Sequence, residues 1–222
     1  LHKAIRRQRQ MCIRDRGNYG FSSSSKSIVD DTRAALQQLL HCPAKQVIFE
    51  PSATISLNII IQGIIEKGAR NIYISPFEHN AVTRTLHHYE TMGLVKVVEL
   101  TVNKDLCYDI QRIRFQFENT KPDLVIVSHA SNVIGLVAPV EEIFTLAKEF
   151  HSLTLLDMAQ TAGLVDCDIG KDIFDFAVFA GHKTLLGPTG ISGFVMKPTI
   201  DLEPIFFLSL IHISEPTRLL SI

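Results

Sequence analysis

Apolar and polar positions alternate along the chain in two periods, and the periods take turns. Ile28 to Leu40 carries apolar residues at helical spacing with charges between them, which predicts an amphipathic helix. Gln46 to Glu50 reads as a short strand. Thr54 to Lys67 reads as a largely apolar helix opened by a Ser/Thr cluster suited to an N-cap. Asn71 to Ser75 predicts a strand. Ala81 to Met92 predicts a helix that Gly93 ends, and Val95 to Leu100 a strand. The alternation continues with a helix over Tyr108 to Glu118 and a strongly apolar strand over Asp123 to Ser128. A helix with proline in its first turn follows over Pro139 to Phe150, then a strand over Leu153 to Asp157. Strands are expected at Ile173 to Phe179 and Ile191 to Met196, joined by a glycine-rich turn too short for a helix. That last pair is therefore expected to break a parallel pattern. The whole predicts an α/β fold with a mostly parallel central sheet flanked by helices.

The ends do not share this patterning. Arg6 to Arg16 (RRQRQMCIRDR) can be coded to contain ATGTGTATAAGAGACAG, and Leu208 to Arg218 (LSLIHISEPTR) to contain CTGTCTCTTATACACAT. The two strings are reverse complements and match the ends of a transposon-based sequencing adapter. Residues 1–16 and 208–222 are accordingly expected to be non-native, and residues 17–207 to form one partial domain. The basic run near the start then carries no nucleic-acid or localisation signal.

Composition narrows the class. Of 222 residues, 46% are hydrophobic, enough for a sizeable core, and the formal net charge is -1. That balance gives no electrostatic reason to expect nucleic acid or an anionic membrane as partner. No apolar run is long enough to span a bilayer. Cys12, Cys42, Cys107 and Cys167 show neither CxxC pairing nor metal-ligand spacing, and read as reduced thiols of a cytoplasmic protein. Asp166, Cys167 and Asp168 resemble a metal triplet only superficially, and no metal site is expected.

In open α/β sheets ligands lie beyond the carboxyl ends of the strands. Reading those ends gives Ser52-Ala53-Thr54, Glu78-His79-Asn80, His129-Ala130-Ser131-Asn132, Asp157-Met158-Ala159-Gln160 and Gly181-His182-Lys183. A lysine, a carboxylate, imidazoles, amides and hydroxyls thus converge, a set that suits pyridoxal 5'-phosphate. Lys183, in a glycine-flanked turn, offers the amine that condenses with the aldehyde. Asp157 can hold the ring nitrogen protonated, and Gln160 can donate to the ring oxygen. Ala53 and Thr54 open a helix and offer backbone amides and a hydroxyl to the phosphate. His79 can stack on the ring. A nucleotide-binding α/β module is the competing reading, but no GxGxxG follows the first strand.

The segments HASNVIG, DMAQTAG and GHKTLLGPTG, with EHNAV upstream, resemble those of aminotransferase class V enzymes, and most closely the cysteine-desulfurase-like group. The resemblance runs over essentially all of residues 17–207. It implies the large domain of a pyridoxal-phosphate-dependent transferase of fold type I. Lys183 would bind the cofactor and move protons at the substrate carbon, with His79 stacking on the ring. Asp157 would pair with the ring nitrogen, and Gln160 and Asn132 would contact the ring oxygen and the substrate side. Thr54 and His182 would bind phosphate. The implied reaction converts L-cysteine to L-alanine and passes sulfur on as a persulfide, in a homodimer that serves a sulfur-acceptor protein. Selenocysteine lyase, aminotransferase and epimerase chemistry share the same core.

The chain departs from the family at several points. Ala180 stands where the family carries Ser or Thr as a phosphate ligand, Ser52 where Gly or Asn is usual, and Met158 where a small residue is usual. The family's persulfide cysteine and its carboxylate-binding arginine lie in a C-terminal small domain beyond Phe207. The chain as written is therefore expected to lack that domain and to be inactive as a desulfurase. None of Cys42, Cys107 or Cys167 sits in a matching motif. His129 reads as a structural histidine, and His41, His87, His88 and His151 as surface or helix-end residues.

Overall fold

In the computed structural model, residues 20–205 are described, with side chains from residue 27 onward. The expectations for residues 1–16 and 208–222 lie outside the described residues, as does Cys12.

Seven short strands form one sheet: β1 (Gln46–Glu50), β2 (Asn71–Ile74), β3 (Lys96–Glu99), β4 (Leu124–Ser128), β5 (Leu153–Asp157), β6 (Phe176–Ala180) and β7 (Ser192–Met196). Their order across the sheet is β1-β7-β6-β5-β4-β2-β3. All pairings among β6, β5, β4, β2 and β3 are parallel. β7 runs against both β6 and β1, so it alone breaks the common direction. The physical cause is the short β6–β7 connection, because a parallel return needs a crossover of a dozen residues or more. The expected start of β6 at Ile173 is three residues early. Asp175 is held by side-chain bonds to Thr154 and does not join the ladder until Phe176.

β4, β6 and β7 are buried at every position and β5 at all but its first. Near-continuous apolar runs of this kind mark strands covered on both faces. Helices α2 (Ala53–Glu66) and α3 (Asn80–Thr91) cover one face, packing Leu57, Ile60, Ile61 and Leu86 on Ile126, Leu155, Phe176, Val178 and Phe194. Helices α1 (Gly20–Leu39), α4 (Ile110–Asn119) and α5 (Val140–Glu149) cover the other. There Leu36, Ile113, Phe117, Ile143 and Phe144 meet Val125, Val127, Leu156 and Phe179. Each such side chain contributes about 1.5–3 kcal/mol when removed from water.

The helix ends follow local chemistry. Ser52 caps α2, its hydroxyl accepting from the Ile55 amide at 3.2 Å. Gly93 ends α3 with φ +71°; its amide bonds Glu90 O and that of Leu94 bonds Tyr89 O, a Schellman motif. His41 and His151 take the same left-handed position after α1 and α5, where glycine would be strain-free.

One buried cation and one buried anion tie the amino-terminal ends of the strands. Lys45, 6% exposed, donates to the carbonyls of Ile169, Lys171 and Phe174, anchoring the long β5–β6 connection beside β1. Asp175, 3% exposed, accepts from Lys148, from Lys197 at 3.1 Å and from the Thr154 amide at 2.9 Å. Replacing Asp175 by Asn should cost about 3 kcal/mol, because two ammonium groups lose their only buried anion while keeping some water contact. Urea unfolding followed by far-UV circular dichroism checks this; a cost below about 1 kcal/mol would mean that water screens the cluster.

Candidate active site

The shared direction of β1, β2, β4, β5 and β6 brings their carboxyl ends, and the residues that follow them, to one rim of the sheet, where ligands of open α/β sheets lie. At its centre is Asp157, the last residue of β5 and 7% exposed. Its Oδ1 accepts from the Ala159 amide at 2.9 Å, which folds the chain into a turn. Burial pushes the Asp157 carboxyl above the ordinary range, against the backbone bond from Ala159 and the opposing pull of nearby Lys183 and His79. Lys183 and His79 therefore share this carboxylate's surroundings, although 26 and 78 residues separate them from it in sequence.

Lys183 stands in the β6–β7 turn. The turn closes through Gly187 N to Gly181 O at 2.7 Å and Gly181 N to Ile191 O at 3.1 Å. A Cβ on Gly181 would lie 2.3 Å from Ile191 O, so only glycine lets the two limbs approach this closely. His79 caps α3, its Nδ1 accepting from the Ala81 amide at 3.1 Å. That bond fixes the ring's orientation and leaves Nδ1 without a proton. At the amino end of α2, the Ile55 and Ser56 amides bond the cap residue Ser52. The Ala53 and Thr54 amides donate to no group among the described residues, an arrangement open to an anion.

The other expected residues lie on the same rim but are not locked there. Asn132 is exposed at the tip of a turn held by the Ser131 hydroxyl, and His182 is exposed beside Lys183. Gln160 is half-buried after Asp157, with no side-chain hydrogen bond among the described residues. His129 is 4% exposed, its Nδ1 lies 2.9 Å from Thr161 Oγ1, and burial lowers its pKa.

Glu78 is a participant to which the sequence reading assigned no role. Its carboxylate accepts from the Ser128 amide at 2.5 Å and the Ser128 hydroxyl at 2.8 Å. Ser128 stands opposite Asp157 in the β4–β5 register. Burial, with Asp157 close by, pushes the Glu78 carboxyl up to about 8. The charge of Asp157 disfavours ionisation of Glu78 and so keeps the proton on it. The Ser75 hydroxyl, 2.7 Å from Tyr108 Oη, extends the same network. The EHN segment made Glu78 visible, but the contact is made across β4 and no spacing rule announces it. Two further polar atoms are buried without a partner among the described residues: Thr184 Oγ1, next to Lys183, and Ser192 Oγ, at the start of β7.

An α/β layer structure with a turn-borne lysine set against a buried strand-end carboxylate defines a class of enzyme scaffold, and comparison with known proteins gives the class its family. The aminotransferase class-V family model matches residues 9–208, and the chain belongs to that family. It is 27% identical over 218 residues to cysteine desulfurase IscS of Pseudoalteromonas translucida, covering 91% of this chain and 53% of that protein. It is 29% identical to a mitosomal cysteine desulfurase of Trachipleistophora hominis, covering 85% of this chain and 44% of that one. Among solved structures, the apo cysteine desulfurase of Thermococcus onnurineus superposes with a TM-score of 0.75 at 26% identity, covering 82% of this chain and 45% of its own. The chain thus spans about half the length of the relatives it matches.

Glu78 gives the site a pH signature. Its folded pKa, about 8, exceeds the ordinary 4.5, so between those values the folded state holds a proton that the unfolded state has released. Stability from this group is full below the lower value and is lost as pH rises toward the upper one. Glu78→Gln, neutral throughout, should gain thermal stability relative to the wild type as pH rises from about 5 to about 8. Melting temperatures of the cofactor-free pair across that range are the check, and a pH-independent difference would overturn it.

Proposed function

We propose that the chain supplies the cofactor-holding part of a pyridoxal-phosphate-dependent cysteine desulfurase, which takes L-cysteine to L-alanine and passes the sulfur on as a persulfide. The single observation behind this reading is buried Asp157 within the electrostatic reach of Lys183 and His79 at neighbouring strand ends. Family membership and the desulfurase names of the relatives support it.

The residues present fit the group. An amine, a buried carboxylate, a fixed imidazole and two unpaired helix-start amides are the donors that its aldehyde, ring nitrogen, ring face and phosphate require. When bound, the cofactor supplies an electron sink for negative charge at the substrate α-carbon. Lys183 Nζ would hold the aldehyde and, once the substrate amine displaces it, carry the proton to and from the α-carbon. Asp157, with its carboxyl raised by burial, would hold the protonated ring nitrogen, and that cation would favour its ionised form. His79 would cover the ring. Asn132 and Gln160 would orient its oxygen and the substrate side, and Ala53, Thr54 and His182 would hold the phosphate.

The sulfur-accepting thiol is a different matter. Burial pushes both Cys42 and Cys167 up to about 11, so neither is a ready nucleophile. Cys107 is exposed in a turn remote in sequence from every strand-end motif. We assign none of them as persulfide carrier. That thiol, and the cation that holds the substrate carboxylate, belong in this reading to a C-terminal domain that joins the rim. A homodimer belongs to the same reading and rests on the family resemblance. A cytoplasmic setting and a sulfur-acceptor protein complete the proposal. Among the described residues no helix is long and apolar enough to cross a membrane.

Borohydride reduction after incubation with pyridoxal 5'-phosphate, followed by peptide mapping, should place the label on Lys183. A label on Lys171 or Lys197 would overturn the assignment. In Asp157→Asn the cofactor should still be taken up, because the amine and phosphate contacts persist. Exchange of the α-hydrogen of L-alanine in deuterium oxide should fall roughly 100-fold, as expected when a preorganised charge is removed. Unchanged exchange, read by proton NMR, would remove Asp157 from this role.

A further inference from the structure

Ser192 is 0% exposed and its hydroxyl has no hydrogen-bond partner among the described residues. A buried hydroxyl left unmade is costly, so its place in the fold matters. Ser192 opens β7, opposite Ala180 on one side and Glu50 on the other. The neighbouring pair, Gly181 and Ile191, carries the ladder hydrogen bond. Ala180 and Ser192 therefore form the alternate, non-hydrogen-bonded kind of pair, in which side chains stand closest.

Strand alternation settles which way Ser192 faces. It lies on the same side of β7 as Phe194 and Met196, and these pack with Phe176 and Val178 of β6 beneath Leu57, Ile60 and Ile61 of α2. Along the strand it lies level with Glu50, two residues before the α2 cap Ser52. The unpartnered hydroxyl is thus beneath the first turn of α2, where the Ala53 and Thr54 amides also lack partners.

The geometry points to Ser192 as a phosphate ligand: its hydroxyl donates to a phosphoryl oxygen held at the amino end of α2, from the strand opposite Ala180. This rests on the cofactor reading above and names a further residue of its phosphate site. Ala180, on the adjacent strand, has no hydroxyl to offer, and Ser192 supplies one to the same space by a cross-strand route. Glu50, the other neighbour on this face, is half-buried, and burial raises its carboxyl toward the neutral form, which lessens repulsion of an anion.

The test compares the 222-residue chain with Ser192→Ala using three probes: pyridoxal 5'-phosphate, pyridoxal without phosphate, and inorganic phosphate. Ser192→Ala should weaken pyridoxal 5'-phosphate binding about 10- to 100-fold, the loss expected for one hydrogen bond to a charged group. Pyridoxal binding should not change. Inorganic phosphate should raise the melting temperature of the wild type but not of the variant, whose ligand-free melting temperature is equal or higher because a buried orphan has gone. The double variant Ala180→Ser/Ser192→Ala should recover the phosphate response. Equal weakening of pyridoxal and pyridoxal 5'-phosphate, an unchanged phosphate response in Ser192→Ala, or no recovery in the double variant would each overturn the assignment. If phosphate binds through Ser192 while borohydride labels no lysine, the cofactor reading fails and this site stands. If Lys183 is labelled and Ser192→Ala binds all three probes like the wild type, the reverse holds.

Discussion

The parallel ladder of β4, β5 and β6 aligns Ser128 with Asp157 and Asp157 with Val178, and the chemistry of the rim depends on that alignment. It puts Asp157 at the end of a strand buried on both faces, where water cannot solvate its charge. The carboxyl then becomes sensitive to Lys183, which follows β6, and to His79, which follows β2, and its own charge in turn raises Glu78. A slip of one residue in any of these registers would turn the aligned side chains to the opposite face and dismantle the set.

The fold keeps stability and chemistry at opposite ends of the sheet. At the amino-terminal ends, Lys45 and the Lys148–Asp175–Lys197 cluster are fully bonded and hold the β5–β6 connection in place. At the carboxyl ends, among the described residues, two hydroxyls are buried without partners, amides at a helix start are unpaired, and the Asp157 charge raises the Glu78 carboxyl. Such unmet demands cost stability in the empty protein, and a bound anion and cation can satisfy them.

Antiparallel β7 is more than a topological exception. Because it returns directly from the Lys183 turn, it reaches between β6 and β1 and joins the lysine's strand to the strand that launches α2. Gly181 permits the close approach, and Ser192 arrives opposite Ala180 as a consequence. The Lys183 turn and the strand that leads into α2 are thus coupled through one hairpin.

The sequence by itself determined the elements and which chemistry-bearing residues stand at the strand ends. Periods of two and 3.6 placed all seven strands and the helices between them to within a few residues at most ends, because burial on one face or two imposes those periods wherever they occur. Lys183, Asp157, His79, Ala53 and Thr54 were legible because strand ends converge in any parallel α/β sheet. Strand order, the pairing of β1 with β7 and the proximity of Glu78 to Asp157 were not legible, and neither was the orphaned hydroxyl of Ser192. Each arises between residues far apart in the chain, brought together by sheet order and register. A local pattern records which face a side chain prefers, but not which strand lies beside it.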